Sequence, residues 1–296
     1  MAISEEVALY NAGHELTDHL VYGRLALAER DPANRELLEK LSAQEKAHCA
    51  FWTELAPAGK RPAPDVLALS LTPLLRRVMG VTFAIKLLER HEKETLSLYE
   101  KTLTPLMPPS HRERFAAIID DERNHARELV GRIKDRRVEY VGFIALGLSD
   151  AIVELTGVNA GFLGATGSTR AAGLSSLIVG FAAAISMASA AYMQAKQNEQ
   201  GAALPASAAT GATYLLAVIL LALPYFLLSA MVPAFVASTG VGLTLLAALT
   251  FYSAVVFERG FVREFVEAAV LMLGTAGATY ALGAVISRFF RVALPG

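Results

Sequence analysis

The chain has 296 residues, enough for about two domains, and 27 basic residues nearly balance 28 acidic ones. Hydrophobic residues make up 54% and the mean hydropathy is +0.41, which excludes an intrinsically disordered chain. Residues 1–137 hold 21 Lys/Arg and 21 Asp/Glu, whereas residues 138–296 hold only 6 and 7. The balanced polar half argues against nucleic-acid binding, and a single cysteine excludes a disulfide framework. A polar half is therefore joined to a half with membrane composition.

Helical patterns dominate the polar half and strand-like alternation is absent, so we expect four α-helices there. The first is predicted over about Ser4–Arg30. The second is predicted over about Pro32–Leu55, because Asp31 can cap a helix that has proline at its first position.

The other two predicted helices begin at similar signals. Thr72 followed by Pro73 repeats the cap-plus-proline pattern and predicts a long third helix that ends near Leu103. Ser110 and Glu113 have the spacing of a capping box, which predicts the start of the fourth helix. The polar half is thus expected to be a four-helix bundle.

Residues with metal-binding side chains recur in the polar half at one spacing. Glu45 and His48 form a Glu-x-x-His pattern, and Glu122 and His125 form another. An offset of 77 residues relates four pairs: Glu15 and Glu92, Tyr22 and Tyr99, Glu45 and Glu122, and His48 and His125. One Glu-x-x-His is weak evidence, but a whole constellation recurring at one offset is difficult to obtain by chance.

Glu and His at positions i and i+3 lie on one helix face and can bind the same metal ion or neighbouring ions. Two such helices, with one Glu from each of two others, supply the ligands of ferritin-like di-iron bundles. The sequence therefore predicts a di-iron site with the ligands Glu15, Glu45, His48, Glu92, Glu122 and His125. Glu89, one turn before Glu92, could be an additional ligand or a surface acid.

The second half contains five apolar stretches, and each approaches the ~20 residues that a membrane-spanning helix needs. They are predicted over about Val138–Leu163, Ala172–Met193, Ala206–Val232, Pro233–Phe257 and Phe265–Phe289. The third and fourth are separated only by a tight link, so they could form one hairpin or a broken helix.

The distribution of basic residues predicts the orientation of these spans. With the N-terminus inside, seven Lys/Arg near the span ends face the cytoplasm, and only Arg170, Arg288 and Arg291 face outside. Residues 1–6 lack the basic start of a secretory signal. We therefore expect a cytoplasmic polar domain, and five spans place the C-terminus outside.

Two acids, Asp150 and Glu154, lie four residues apart in the first span and share one helical face. A carboxylate inside a membrane is costly unless it faces a cavity or a partner, which favours an ion path. Met187 in the second span offers a thioether to the same metal. Asp150 could instead cap or kink its helix, and Met187 could only pack.

These motifs carry resemblances to two families. Residues 1–137 resemble a rubrerythrin-type ferritin-like domain, through the two Glu-x-x-His patterns and through Glu15-x6-Tyr22 and Glu92-x6-Tyr99. Residues 138–296 resemble a vacuolar iron transporter domain, through the segments Gly147-Leu148-Ser149-Asp150, Ala184-Ile185-Ser186-Met187 and Tyr192-Met193-Gln194-Ala195-Lys196. The chain departs from plant-type transporters at Val179, where those proteins carry Glu.

The fusion is similar to the membrane-bound ferritin family, which implies an iron exporter of the bacterial inner membrane. We expect cytosolic Fe²⁺, or Mn²⁺, to be captured by the polar domain and exported in exchange for protons, with Asp150 and Glu154 trading metal for H⁺. The resembled transporters build their path between two subunits, which predicts a homodimer. The alternatives are a membrane-anchored di-iron ferroxidase or peroxide scavenger, and an iron sensor or store whose spans are only an anchor.

Overall fold

The computed structural model describes residues 3–132, 136–197 and 203–290, while the side chains of 88–95, 126–140 and 290 lie outside the described residues. Every regular element in these ranges is helical, which confirms the all-α prediction. The chain divides into two compact units, Met1–Arg136 and Arg137–Gly296. Each unit has apolar clusters of its own.

The first unit contains five α-helices in the described part of the chain: α1 (Glu5–Ala28), α2 (Pro32–Leu55), α3 (Val66–Met79), α4 (Val81–Leu98) and α5 (Arg112–Arg132). α1 packs against α2 and α3, and α5 packs against α2 and α4. The carboxylate of Asp31 accepts hydrogen bonds from two backbone N–H groups at the start of α2, at 2.9 and 3.1 Å. The predicted second helix is therefore confirmed, including its proline start.

The predicted start of the third helix at Thr72 and Pro73 is wrong. α3 begins seven residues before Pro73, at Val66, because the carboxylate of Asp65 accepts hydrogen bonds from two backbone N–H groups at 2.8 and 3.1 Å. The predicted single helix is also interrupted at Gly80, whose φ of 98° is open mainly to glycine. α4 follows, and a π-helical turn, Tyr99–Leu103, ends this segment.

Pro73 lies inside α3, where a proline removes one helical hydrogen bond. The acceptor that loses its donor is the carbonyl oxygen of Leu69, four residues earlier. The guanidinium of Arg24, on α1, donates a hydrogen bond of 2.8 Å to this oxygen. A side chain from a neighbouring helix thus replaces the missing backbone donor, and the proline does not end the helix.

The start of the last helix of this unit also differs from its prediction. α5 begins at Arg112, and Ser110 lies within a 3₁₀ turn, Pro109–His111, instead of at the helix N-cap. The Ser110 hydroxyl is 2.9 Å from Nδ1 of His111. Two consecutive prolines, Pro108 and Pro109, fix φ before the helix and favour this tighter turn.

Two apolar clusters form the core of the first unit, and polar residues separate them along α1 and α2. One cluster contains Val21 and Leu41, and the other contains Ala12 and Phe51. The positions between them on the two helices include three buried polar residues, Glu15, Glu45 and His48. The core therefore has a polar middle layer.

The second unit contains five long helices in the described residues: α6 (Arg136–Ala165), α7 (Thr169–Gln197), α8 (Ala203–Leu227), α9 (Met231–Val256) and α10 (Phe261–Phe290). All five are long and apolar enough to cross a membrane, with mean hydropathies from 1.6 to 1.9. The predicted number of spans is confirmed. Several basic residues used to predict orientation cannot be compared: Lys134 and Arg291 lie outside the described residues, as do the side chains of Arg132, Arg136 and Arg137.

The link between α8 and α9 lies earlier than predicted. The third span was expected to reach Val232, but α8 ends at Leu227 and α9 begins at Met231. Pro233 falls in the first turn of α9, where a backbone N–H has no helical acceptor, so proline costs little there. The short link makes these two spans a hairpin.

Glycines bring α6 and α10 into direct backbone contact. A Cβ atom added at Gly283 would lie 2.2 Å from the carbonyl oxygen of Gly161, and one added at Gly164 would lie 2.4 Å from that of Tyr280. No side chain fits at these positions. Small residues at such crossings allow close helix packing in a membrane, where packing provides much of the stability.

Candidate metal centre

Four buried side chains with metal-binding atoms meet in the polar layer of the first unit. They come from α1, α2 and α5, and they are Glu15, Glu45, His48 and Glu122. One ligand atom from each lies within 4.8 Å of the others. Carboxylate and imidazole groups are ligands for Fe²⁺, Mn²⁺ and Zn²⁺, so this group could hold a metal ion.

The Nδ1 atom of His48 lies at the centre of the group. It is 3.0 Å from Oε1 of Glu122, 3.2 Å from Oε2 of Glu45 and 3.7 Å from Oε2 of Glu15. An imidazole nitrogen donates at most one hydrogen, so it cannot satisfy three carboxylates at once. Carboxylates from three helices therefore converge on a point where a cation of higher charge would satisfy more oxygens.

His125 lies next to this group and makes the matching contacts. Its Nδ1 atom is 3.0 Å from Oε1 of Glu45 and 3.5 Å from Oε2 of Glu122. Each histidine thus touches the Glu of its own Glu-x-x-His pattern and the Glu of the other, and the two rings stack at 5.9 Å. The two Glu-x-x-His pairs of the 77-residue repeat therefore make reciprocal contacts.

Several buried atoms of the centre have unused bonding capacity. In the part of the chain that the structure describes, Oε1 of Glu45 and both ring nitrogens of His125 lack a partner with hydrogen-bond geometry. Both residues are at most 2% exposed, so bulk water does not solvate these atoms. Buried polar atoms without partners are costly. The residues present therefore fit a bound metal ion, which would satisfy them.

The two remaining predicted ligands cannot be placed at the centre. Glu92 and Glu89 fall within α4, but their side chains lie outside the described residues. Of the two repeated tyrosines, Tyr22 is fully buried in an apolar cluster. The hydroxyl of Tyr99 donates a hydrogen bond of 2.7 Å to Oε1 of Glu15. Tyr99 therefore reaches the centre from the π-helical turn.

The metal-free centre retains protons on its histidines. Burial alone would lower the pKa of His125, but the adjacent carboxylates of Glu122 and Glu45 raise it to about 10. The pKa of His48 is raised even further by carboxylates that outweigh its burial. Burial alone would raise the pKa of Glu45, but the adjacent imidazoles lower it to about 2. A metal ion that binds here must displace protons from the imidazoles.

Asp18 is a residue near the centre that the sequence analysis did not identify. Burial, followed by the charges of Glu45 and Glu122, raises the pKa of its carboxyl group well above the ordinary value. The pKa of Glu15 is raised by burial and by the same two charges. Asp18 lies one turn after Glu15 on the face that also carries Tyr22, and this i, i+3, i+7 spacing was the available signal.

Asp121 is the second residue that was missed. Its Oδ2 atom is 3.4 Å from Nε2 of His48, on the side of the ring away from the three carboxylates. Its Oδ1 atom accepts a hydrogen bond of 3.5 Å from the side-chain amide of Gln44. Gln44 and Asp121 are themselves 77 residues apart, so the repeat contained the signal. Asp121 orients the imidazole that lies at the centre of the site.

The second unit places its predicted residues on neighbouring helices. Asp150 is exposed on the surface of the unit, whereas Glu154 is half-buried and accepts a hydrogen bond of 2.5 Å from the hydroxyl of Tyr214. Met187 is half-buried against a cluster that contains Tyr214 and Ala151. Tyr214 on α8 was not predicted, because a tyrosine within an apolar span carries no spacing signal of its own.

Comparison with known proteins identifies no relative. No protein-family profile, no curated protein and no solved structure matches the chain. The chemistry of the residues is therefore the basis for assigning a function.

Proposed function

We propose that this protein is a membrane transporter that exports Fe²⁺ or Mn²⁺ from the cytoplasm in exchange for protons. The first unit captures the metal ion, and the second carries it across the membrane. The observation that carries this proposal is the convergence of Glu15, Glu45 and Glu122 on His48, in a chain that also has five apolar helices. A candidate metal-binding centre joined to a candidate membrane unit is an arrangement suited to metal transport.

The first unit in this proposal is a ferritin-like di-iron domain. Its support is the 77-residue repeat, the reciprocal contacts of the two Glu-x-x-His pairs and the oxygen-rich ligand set. Glu92 would complete the six ligands, and Glu89 would be a seventh. When bound, iron supplies positive charge and redox chemistry, while the carboxylates and imidazoles hold protons until the ion replaces them.

The second unit contributes carboxylates inside a membrane-spanning helix. Asp150 and Glu154 share a face of α6, and Met187 on α7 packs against the cluster that also contains Tyr214. An inert anchor has no need for acids at this depth, where each costs several kcal/mol on insertion scales. In the proposed cycle these two carboxylates exchange a metal ion for protons.

The proposed location is the inner membrane of a bacterium, with the first unit in the cytoplasm and the C-terminus outside. The distribution of Lys and Arg around the five helices supports this orientation. The proposal includes a homodimer, because five helices are few for an enclosed path and small residues on α7 allow close helix contact.

The transport proposal is tested by metal flux into proteoliposomes that contain the full chain. Glu45→Ala together with Glu122→Ala removes two of the three carboxylates that converge on His48, so Mn²⁺ binding and uptake should fall at limiting metal concentration. Glu39→Ala on the exposed face of α2 is the matched control and should leave both unchanged. Absence of metal flux by the wild-type chain under an imposed pH gradient would contradict the proposal.

A second candidate function is a membrane-anchored ferroxidase or peroxide scavenger. The observation that favours it is Tyr99, which donates to Glu15 and also contacts the ring of Trp52 at 5.3 Å. A tyrosine beside a metal ligand is suited to redox chemistry. Oxygen or peroxide consumption on Fe²⁺ addition, without metal flux, would support this candidate over transport.

A further inference from the structure

A cleft in the first unit connects the surface with the buried centre. It encloses about 750 Å³, and the centre residues Glu15, Glu45 and Glu122 line its buried end. Exposed acids, Glu6 and Asp65, line its outer part. Six acidic side chains line the cleft against two basic ones, Arg61 and His14. A cleft whose lining is acidic on balance concentrates cations and accelerates their association. This cleft is therefore a route that a divalent cation can follow.

One wall of the cleft is α1, and the other includes the segment 61–68. Two contacts fix this segment to the helix. A Cβ atom added at Gly13 would lie 2.9 Å from the carbonyl oxygen of Ala63, so the backbones touch there. The hydroxyl of Thr17 accepts a hydrogen bond of 2.9 Å from the N–H of Asp65. The cleft thus has two fixed walls.

Asp18 lies between the exposed rim and the buried carboxylates. It lines the cleft, is half-buried, and is one helical turn from Glu15. Side chains three positions apart on a helix have Cβ atoms about 5–6 Å apart, so one ion can move between these two carboxylates without leaving the protein. At the inner end, Oε1 of Glu45 and Nδ1 of His125 lie 3.0 Å apart without hydrogen-bond geometry, and a cation bound there would satisfy them.

We propose that divalent cations reach the centre through this cleft, and that Asp18 is the ligand that receives them first and passes them to Glu15. This inference rests on the proposed metal-binding function of the centre. Glu6 and Asp65 attract the hydrated ion to the rim. A carboxylate oxygen of Asp18 then replaces one water of the hydrated ion. Glu15 and Glu45 complete the binding of the ion.

The test measures the rate of Mn²⁺ binding to the metal-free full chain in detergent. Trp52 is the only tryptophan and contacts Tyr99, which donates to Glu15, so its fluorescence reports on the centre. Ala68→Phe places a ring in the cleft and should slow association and dissociation alike. Ser70→Phe, on the exposed face of the same helix and outside the cleft lining, should not.

The role of Asp18 is tested in the same measurement. Asp18→Asn keeps the size of the side chain but cannot present an ionised carboxylate to the arriving ion, so association should slow about tenfold. Asp18→Glu keeps the carboxylate and should restore most of the rate, which a purely structural role would not predict. Glu5→Gln, on α1 outside the cleft lining, is the control.

The outcomes separate this inference from the proposed function. Association at the wild-type rate in Asp18→Asn would overturn the role of Asp18, and association at that rate in folded Ala68→Phe would overturn the route. Weaker equilibrium binding with an unchanged association rate would make Asp18 a permanent ligand instead. Failure of the wild-type chain to bind Mn²⁺ at equilibrium would contradict the metal-binding function itself.

Discussion

Protons on single side chains compensate the charge of the buried polar centre in the first unit. The carboxylates of Glu45 and Glu122 are compensated by two imidazoles when no metal ion is bound. Burial raises the pKa of Glu15, so its proton removes a further charge. Protons thus compensate the buried carboxylates, and the same groups could hold a metal ion once the protons leave.

We predict that the metal-free protein loses stability as the pH rises from about 6.5 to about 10. The pKa of His125 is about 10 in the folded chain and about 6.5 in an unfolded one, so folding retains a proton in this range. The stabilisation is complete below the lower value and disappears as the pH passes the higher one. Thermal unfolding followed by Trp52 fluorescence measures it.

The control for this pH dependence is His125→Asn, which keeps a polar side chain but cannot bind the proton. Its unfolding midpoint should fall less over the same pH range. An equal fall in the variant and the wild-type chain would mean that His125 does not carry the effect.

We predict that Asp121→Asn weakens Mn²⁺ binding by about tenfold, because loss of a residue that orients a metal-binding histidine costs roughly 10–100-fold in affinity. Asp121 is 3.4 Å from Nε2 of His48. Equilibrium titration of the full chain measures the change. Asp120→Asn is the adjacent exposed control, and equal affinities in the two variants would argue against this role.

The candidate site was partly predictable from the sequence. The repeat and the i, i+3 spacing identified Glu15, Glu45, His48 and Glu122, because metal ligands on helices must share a face. Asp121 was missed although it obeys the repeat, since its partner is Gln44 and the two residue types differ. Asp18 and the segment 61–68 line the same cleft. No local sequence pattern predicts where that segment runs, so the position of Asp18 could not be predicted.

At the scale of the helices, breaks were harder to predict than helical segments. The sequence analysis treated Pro73 as a helix start because proline lacks an N–H group. The structure places it inside α3, since Arg24 from another helix supplies a donor to the freed carbonyl. Such compensation is a tertiary contact between residues far apart in the chain. Helix existence and type follow from local pattern, but the continuation of α3 through Pro73 does not.

We predict that Gly283→Ala destabilises the second unit, by about 1–3 kcal/mol or more. The new methyl group would lie 2.2 Å from a backbone oxygen of Gly161, and backbone cannot move away as a side chain can. Recovery of monodisperse protein after heating in detergent measures the loss.

Gly277→Ala on the same helix is the control for this substitution, because a Cβ atom there has no neighbour within 4 Å in the described residues. It should match the wild-type chain. Equal heat resistance of the two variants would show that α6 and α10 do not approach as closely as the structure indicates.

At the scale of the whole molecule, the uneven distribution of charge distinguishes the two units. Residues 1–137 carry all six histidines and most of the charged residues, whereas residues 138–296 carry the five apolar helices. This division was predictable from composition alone, because membrane-spanning helices exclude charge. The few acids that remain within the second unit are therefore candidates for a functional role.

We predict that Asp150→Asn abolishes proton-coupled metal flux in proteoliposomes while Mn²⁺ binding by the first unit, reported by Trp52, is unchanged. The amide keeps the size and polarity of the side chain but cannot exchange a proton for a metal ion. Glu267→Gln, an exposed acid paired with Arg263 on α10, is the control. Wild-type flux with unchanged pH dependence in Asp150→Asn would place the ion path elsewhere.

The reciprocal contacts of the two Glu-x-x-His pairs have a consequence for symmetry. A helix pair that associated with a copy of itself would already form the reciprocal contacts of Glu45 with His125 and of Glu122 with His48. In such a homodimer, however, the residue at position 44 would face its own duplicate. A single chain that carries both copies is free of that restriction, so an amide at Gln44 can meet a carboxylate at Asp121. The carboxylate of Asp121 also reaches His48, an asymmetry that two identical subunits could not have.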